Sequence, residues 1–283
     1  MKYFKPSLIV ILILLIAWSL KSLLFNEEKS KNVTSDKNAD AITEKVQSFS
    51  LQGFSESGEL IWQINGKSAD IYADVINLTD ISADSHNKDI TVNLKSDKGV
   101  FNRKSNDLKL YENVVVITSD GSRLTTDSLN WDAAKELITT QERVYIERED
   151  MNAVGLGARA LPSLKKAQLN EDVKVNIKKP IALITCDGPM EIDYGNNITF
   201  FNNNVKLDDS KAQIRTDKAT AYFDPDKRLL TKVLCEGNVY ITRGDDITNS
   251  EKLTYFPGEG RVVLDGRPRI IINSADKMIE EVK

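Results

Sequence analysis

The stretch Glu112-Asn113-Val114-Val115-Val116 decides how this chain is read, because it returns four times further along. The later copies are Glu142-Arg143-Val144-Tyr145-Ile146, Glu171-Asp172-Val173-Lys174-Val175, Asn203-Asn204-Val205-Lys206-Leu207 and Gly237-Asn238-Val239-Tyr240-Ile241. Their key valines are spaced by 30, 29, 32 and 34 residues. Arg267-Pro268-Arg269-Ile270-Ile271-Ile272 follows as a degenerate final copy. A second element lies between these: Thr126-x-x-Leu129-x-Trp131 resembles Asp217-x-x-Thr220-x-Tyr222 and Ser250-x-x-Leu253-x-Tyr255. Each of the three is followed by a turn, at Ala133–Glu136, Asp224–Lys227 and Pro257–Gly260. Each period therefore predicts two or three short strands with period-2 alternation, separated by Asn, Asp, Gly and Pro.

One face of such strands is apolar. Leu60-Trp62-Ile64, Ile90-Val92-Leu94, Val114-Val116, Leu129-Trp131, Val205-Leu207, Val239-Ile241 and Leu253-Tyr255 are predicted to point inward. Repeats of this kind cannot bury their faces singly and must stack along an axis. The expectation is an all-β, elongated pair of sheets made of stacked short antiparallel strands. The strands at its two ends are open edges that invite pairing with another β protein. No long amphipathic helix is predicted; Ser274 to Lys283 is the best short helical stretch.

Composition agrees and excludes much. The 283 residues include 38 Lys+Arg, 42 Asp+Glu, one His and two Cys, for a net charge of −4. Zinc sites, most triad hydrolases and disulfide frameworks need side chains this chain hardly has. Mild acidity argues against nucleic acid, which asks for a basic face. Apolar residues at 41% and charged residues at 28% describe a folded protein. The 22 Asn, 25 Asp and 14 Gly are turn formers, and they are spread along the chain rather than clustered.

The amino terminus is different. Leu8 to Leu20 is a continuous apolar run, extended by Leu23-Leu24-Phe25 beyond Lys21 and Ser22. Residues 7–25 approach the roughly 20 residues that a membrane helix needs, with Lys21 placed to snorkel and Trp18 near the interface. A cleaved signal peptide is the rival, since Lys2 and Lys5 form a basic start. However, no small-x-small cleavage site follows. The expectation is a cytoplasmic tip at 1–6, a membrane anchor at 7–25 and a polar tether at 26–45. Everything beyond the anchor is exported, with a net charge of −7 once Lys2, Lys5 and Lys21 are set aside.

These segments carry a family resemblance. Val46–Phe54, Ser57-Gly58-Glu59-Leu60-Ile61-Trp62-Gln63-Ile64 and Lys67-Ser68-Ala69-Asp70 resemble the opening of the LptC family of lipopolysaccharide export. Leu124–Trp131 followed by Val154-Gly155-Leu156-Gly157 looks like that family's later part. From Pro180 on, Gly237–Ile241 and Leu253-Thr254-Tyr255-Phe256 look like the related LptA, or OstA-like, repeat. The resemblance implies an open β-jellyroll over 46–179, extended by a second over 180–283. It implies no catalysis. The expected cargo is lipopolysaccharide, received from an ABC transporter of the LptB/LptF/LptG type and passed to an OstA-like jellyroll in the periplasm. The candidate groove is then Phe49, Leu51, Leu60, Trp62, Ile64, Val92, Val114, Val116, Leu129, Trp131, Val144, Val205, Tyr222, Val239, Leu253 and Tyr255. The partner edges are Phe49 at one end and Ile270 and Ile272 at the other.

Other signals carry less. Gly155-x-Gly157-x-x-Ala160 mimics a dinucleotide fingerprint, but no βαβ unit surrounds it and Pro162 follows, so a β-turn or bulge is expected. His86 sits in a polar turn without a second His to make a metal site. The acidic pairs Asp208-Asp209, Asp245-Asp246 and Glu149-Asp150 read as solvated turns. Cys186 and Cys235 are buried free thiols or, since export permits oxidation, a bridge. The aromatic residues either line an acyl groove or fill a packed core. In the second case the chain is a tethered structural or adhesion β-repeat protein with no lipid.

Overall fold

The computed structural model describes residues 42–54, 58–86, 91–119, 121–161, 164–178, 181–209, 212–225 and 229–272. The expected membrane anchor and nearly all of the tether lie outside these residues. All seventeen elements among the described residues are β-strands. They belong to two compact units: one extends to Arg148 and takes Gly157–Lys165, the other takes Glu149–Leu156 and everything from Lys166.

In the N-terminal unit, β1 (Glu44–Phe54), β2 (Leu60–Ile71), β3 (Val75–His86), β4 (Thr91–Asn102), β5 (Leu108–Thr118), β6 (Arg123–Asp132) and β7 (Leu137–Glu147) follow one another. Each pairs antiparallel with the next. The next strand, β8 (Met151–Leu161), is divided between the units. In the C-terminal unit, β9 (Lys166–Lys178) pairs with both β10 (Ile181–Cys186) and β11 (Met190–Asp193). Those two pair in turn with β12 (Ile198–Asp209). The meander continues through β13 (Gln213–Phe223), β14 (Leu230–Arg243) and β15 (Asp246–Phe256). β15 carries both β16 (Arg261–Asp265) and β17 (Arg269–Ile271) on its far side.

The strands are not short. From β2 to β9 and from β12 to β15 they hold 10 to 14 residues. The polar pairs that read as strand boundaries lie inside them. Glu112-Asn113, Asn203-Asn204 and Gly237-Asn238 each hold two consecutive positive φ angles in mid-strand. The ladder shifts register there, between Tyr111 and Val114, Asn202 and Val205, and Glu236 and Val239. Two left-handed residues turn the chain through a corner without ending it, and Asn and Gly tolerate that conformation best. One repeat period is therefore two long bent strands.

The corners are tied to their neighbours. Asn113 donates its side-chain amide to Asp97 at 2.6 Å, and Asn238 donates to Asp217 at 2.9 Å. Asn204 makes the same bond with Asp187. Beside these acids sit buried hydroxyls. Ser96 donates toward the Lys98 and Tyr111 carbonyls, Thr216 toward those of Lys218, Glu236 and Gly237, and Ser250 toward those of Lys252 and Asp265. Carbonyls released from the ladder at the bulge thus regain donors, which removes a penalty of roughly 1–3 kcal/mol for each buried group. Hairpin ends use the expected turn chemistry. Asn102 accepts from the Lys104 and Ser105 amides, and Asp132, Asp193 and Asp209 cap their turns likewise.

In the N-terminal unit, residues on both sides of the corners join one buried cluster. Leu78, Phe101, Leu108 and Trp131 lie on one side; Ala83, Leu94 and Val116 lie on the other. The bent strands therefore close over a shared interior.

Candidate functional site

The key valine of each repeat is fully buried, and in Val114, Val205 and Val239 it directly follows a corner. Val114, Val144, Val173, Val205 and Val239 are between 0% and 2% exposed. A β-branched residue there fills the inside of the bend, where the strand turns over its own interior. Ile64, Val92, Val116, Leu129, Trp131 and Leu253 are buried on the same inward face. Phe49, Leu51 and Leu60 are half-buried on the first hairpin, and Phe49 lies against Gly66, where a Cβ would meet its ring at 2.3 Å. The Trp62 side chain and Ile90 lie outside the described residues.

Tyr222 is a correction. The repeat aligns as Thr216-x-x-Ala219-x-Ala221, with all three buried, one position earlier than the sequence comparison placed it. Strand alternation then turns Tyr222 to the outer face, where Lys232 stands 3.9 Å from its ring centroid. Tyr255 keeps the inward orientation: it is paired with Val233, which is 8% exposed, and it is itself half-buried.

The two interiors differ. Among the largest fully buried side chains, Phe101, Ile64, Leu94, Leu108 and Leu110 all belong to the N-terminal unit, whereas Leu253 alone represents the C-terminal one. The C-terminal unit sets small Ala219, Ala221, Cys186 and Cys235 among larger buried residues such as Leu169, Met190 and Phe201, which are 3–6% exposed. At its last strands that face becomes uncovered. Val262 is paired with Tyr255 and 51% exposed, while Ile270 and Ile272 are 62% and 71% exposed.

Two polar features mark the apolar interior. The Trp131 indole N–H is buried and has no hydrogen-bond partner among the described residues, and the Thr126 hydroxyl is in the same condition. Both cysteines are free and buried. Burial raises the Cys186 thiol pKa and pushes that of Cys235 up to about 12, so both remain protonated and inert. Gly155 belongs to β8 and packs against Leu169, where a Cβ would meet the leucine at 3.0 Å. Close strand approach is thus what that glycine provides. No group of metal-ligating side chains occurs among the described residues, and no helix there is long and apolar enough to cross a membrane.

The described residues form bent strands around an apolar interior. The model of the lipopolysaccharide-assembly, LptC-related family matches residues 9–178, more than half of the chain. The chain belongs to the LptC family. Membership places it in lipopolysaccharide transport, and the match includes most of the apolar segment at 7–25. The C-terminal unit extends well past the end of the match, so this LptC relative carries added β-structure with the same corner pattern. The chain matches no curated protein.

Several features were open to sequence reasoning and escaped it. Ser96-Asp97-Lys98, Thr216-Asp217-Lys218 and Ser250-Glu251-Lys252 form a second repeat, hydroxyl–acid–lysine, which marks the corners of β4, β13 and β15. Phe101 and Leu110, both central to the N-terminal core, were missed because their strands were read as shorter than they are.

Proposed function

We propose that the chain is an inner-membrane-anchored carrier that takes lipopolysaccharide from an ABC exporter and passes it outward along its inward β-faces. The anchor at 7–25 holds it beside the exporter, and the β1 edge around Phe49 meets the exporter's own β-domain. The segments 46–179 and 180–283 serve as successive acyl-chain supports, and the strand edge at Ile270 and Ile272 meets an OstA-like jellyroll. The observation that carries this reading is the LptC family match, joined to an inward apolar face that recurs through every repeat.

The energetics fit. Each acyl CH₂ left in water costs about 0.8 kcal/mol, and a β-face offering valine and leucine removes that cost without chemistry. The overall acidity repels a phosphorylated lipid, so affinity comes from the apolar face. Side chains that fill the N-terminal interior serve as its lining when no lipid is bound. An acyl chain then enters by replacing their mutual contacts with equivalent ones.

The dense N-terminal core also fits a packed structural repeat with no ligand, so the test must separate the two. Depletion of the chain in growing cells, followed by quantification of surface-exposed lipopolysaccharide, is expected to show newly made lipopolysaccharide retained at the inner membrane. Unchanged delivery to the surface after full depletion contradicts the carrier reading and leaves the structural one.

A further inference from the structure

The seam between β6 and β7 departs from the corner pattern, and it leaves two buried donors idle. At the β4–β5 and β13–β14 corners the ladder skips two residues of one strand against three of the other. Between β6 and β7 it skips Thr126 to Leu129 against Thr140 to Val144, four against five. The β7 corner itself, Glu142-Arg143, holds no left-handed residue. The Glu142 amide donates instead to the Thr140 hydroxyl at 3.1 Å.

Thr126 stands where other strands carry Ser96, Thr216 and Ser250, each followed by an acid. Those three hydroxyls each donate to a carbonyl of the following strand, at Tyr111, Glu236 and Asp265. With the β6–β7 ladder parted, Thr126 reaches no such carbonyl. The residue is 5% exposed and its hydroxyl has no partner among the described residues. Beyond Leu129 on the same inward face, Trp131 is 3% exposed, and its indole N–H is equally unpartnered. A buried donor without an acceptor gives up its hydration for nothing in return. Two of them on one strand, beside a gap in the ladder, point to an acceptor that comes from outside the chain.

The lining narrows what that acceptor is. The inward residues around the gap, Leu129, Ile138, Thr140 and Val144, are uncharged and buried, and Asp127 is exposed on the other face. An anion here would be buried without a counter-charge, which excludes a phosphate. An indole N–H can only donate. The fitting group is a neutral acceptor on an apolar chain, such as the ester or amide carbonyl that joins an acyl chain to its head group.

We infer that the β6–β7 seam takes an acyl-linkage carbonyl of the carried lipid, with the Thr126 hydroxyl and the Trp131 indole N–H as donors. The inference rests on the carrier reading and adds a polar station to its apolar path. The seam is also the way in, because β6 and β7 are unpaired there.

The test uses the full chain, nitrogen-15-labelled at tryptophan, in an alkyl maltoside, which has no carbonyl. It is titrated with lipopolysaccharide, with a diacyl phosphatidylglycerol and with the dialkyl ether analogue of that phospholipid. Trp131→Phe identifies the resonance. Lipopolysaccharide is expected to shift the Trp131 indole proton downfield, and the ether lipid to leave it in place; a shift with the diacyl lipid as well extends the site to acyl lipids in general. Thr126→Val is expected to keep or raise the thermal midpoint, since no bond is lost, and to weaken lipopolysaccharide binding about threefold to tenfold. Ser96→Ala, which breaks the bonds to Lys98 and Tyr111, should lower the midpoint. Lipopolysaccharide that binds without moving the indole resonance, or binds the Thr126→Val and unaltered chains equally, overturns the inference and leaves the carrier reading intact. A midpoint lowered in Thr126→Val as in Ser96→Ala assigns the hydroxyl to an ordered water and overturns it too. An equal shift with the ether lipid overturns the carbonyl as the recognised group. Failure of lipopolysaccharide to bind the unaltered chain overturns the carrier reading, and this inference with it.

Discussion

The two units share a corner geometry and differ in what they place inside it. Around Val114 the N-terminal unit packs Phe101, Leu94, Leu108, Leu110 and Trp131 into a continuous buried cluster. Around Val205 and Val239 the C-terminal unit mixes alanines and cysteines with Met190, Phe201 and Leu253, and its inward face is uncovered at Val262, Ile270 and Ile272. The corner thus fixes the backbone path, while the residues between corners decide how filled the interior is. One scaffold can then hold a densely filled interior in one unit and a less filled one in the other.

The sharpest way to break this comparison is to delete the same kind of bulk from each interior. Phe101→Ala is expected to destabilise the protein by about 3–5 kcal/mol in urea denaturation, since it removes a fully buried ring and leaves a cavity. Tyr255→Ala, at a half-buried site, is expected to cost less than about 1.5 kcal/mol. Equal losses would mean that the C-terminal interior is as densely packed as the other.

Adding bulk tests the same contrast from the opposite side. Ala83 is fully buried in the N-terminal cluster, and Ala83→Leu should cost about 1–3 kcal/mol through overpacking. Ala221→Leu, in the C-terminal face, should lower the thermal midpoint by less. The reverse order would contradict the assignment of the less filled interior.

The corner itself is common to both units, so its loss should be felt alike. Asn238→Ala removes the bond to Asp217 and strains a φ of 47°, for an expected loss of about 1–2 kcal/mol. Asn238→Gly loses the bond and relieves the strain, so its cost should be smaller. Asn113→Ala should behave as Asn238→Ala does, because Asn113 also bonds an aspartate in a left-handed conformation.

How much of this could be read beforehand follows from the kinds of signal involved. Period-2 alternation and the thirty-residue return of Val114 are properties of side chains, and they gave the all-β class and most of the inward face. The corners are a property of the backbone. Asn203-Asn204 is as common in a turn between strands as in a bend within one, so strand length was misread, and Phe101 and Leu110 were lost with it. Tyr222 was misplaced by a single residue, and in a strand one residue exchanges the two faces. The filled state of the N-terminal interior depends on how Leu78, Leu94 and Trp131 meet across the corners, which no local pattern carries. The place of Ile270 on the last described strand was legible from the degenerate final copy at Arg267–Ile272. The left-handed φ of Arg267 there was not, because φ is not written in residue type.

The smallest effect concerns the thiols. The Cys235 pKa is raised from 9.0 to about 12 by burial, so the native state favours the protonated form. That preference leaves stability unaffected below about pH 9. As pH rises from there toward 12, stability is progressively lost, because the unfolded chain ionises its thiol first. Alkylation of the folded protein at pH 8 should therefore run about a thousandfold slower than that of a free cysteine. Fast labelling of Cys235 in the folded protein would mean that the C-terminal interior opens widely in water.

The central claim is that lipid travels against the inward faces, and photo-crosslinking in living cells measures it directly. Benzoyl-phenylalanine placed singly at Trp131, at Tyr255 and at Leu264, the ladder partner of buried Leu253, reports the inward face, while Tyr145, which is 50% exposed, and Tyr222 report the outer one. Lipopolysaccharide attached at the three inward positions and absent from the two outer ones is the predicted result. Silence at all three inward positions in chains that still sustain growth, or equal labelling on both faces, would contradict the account.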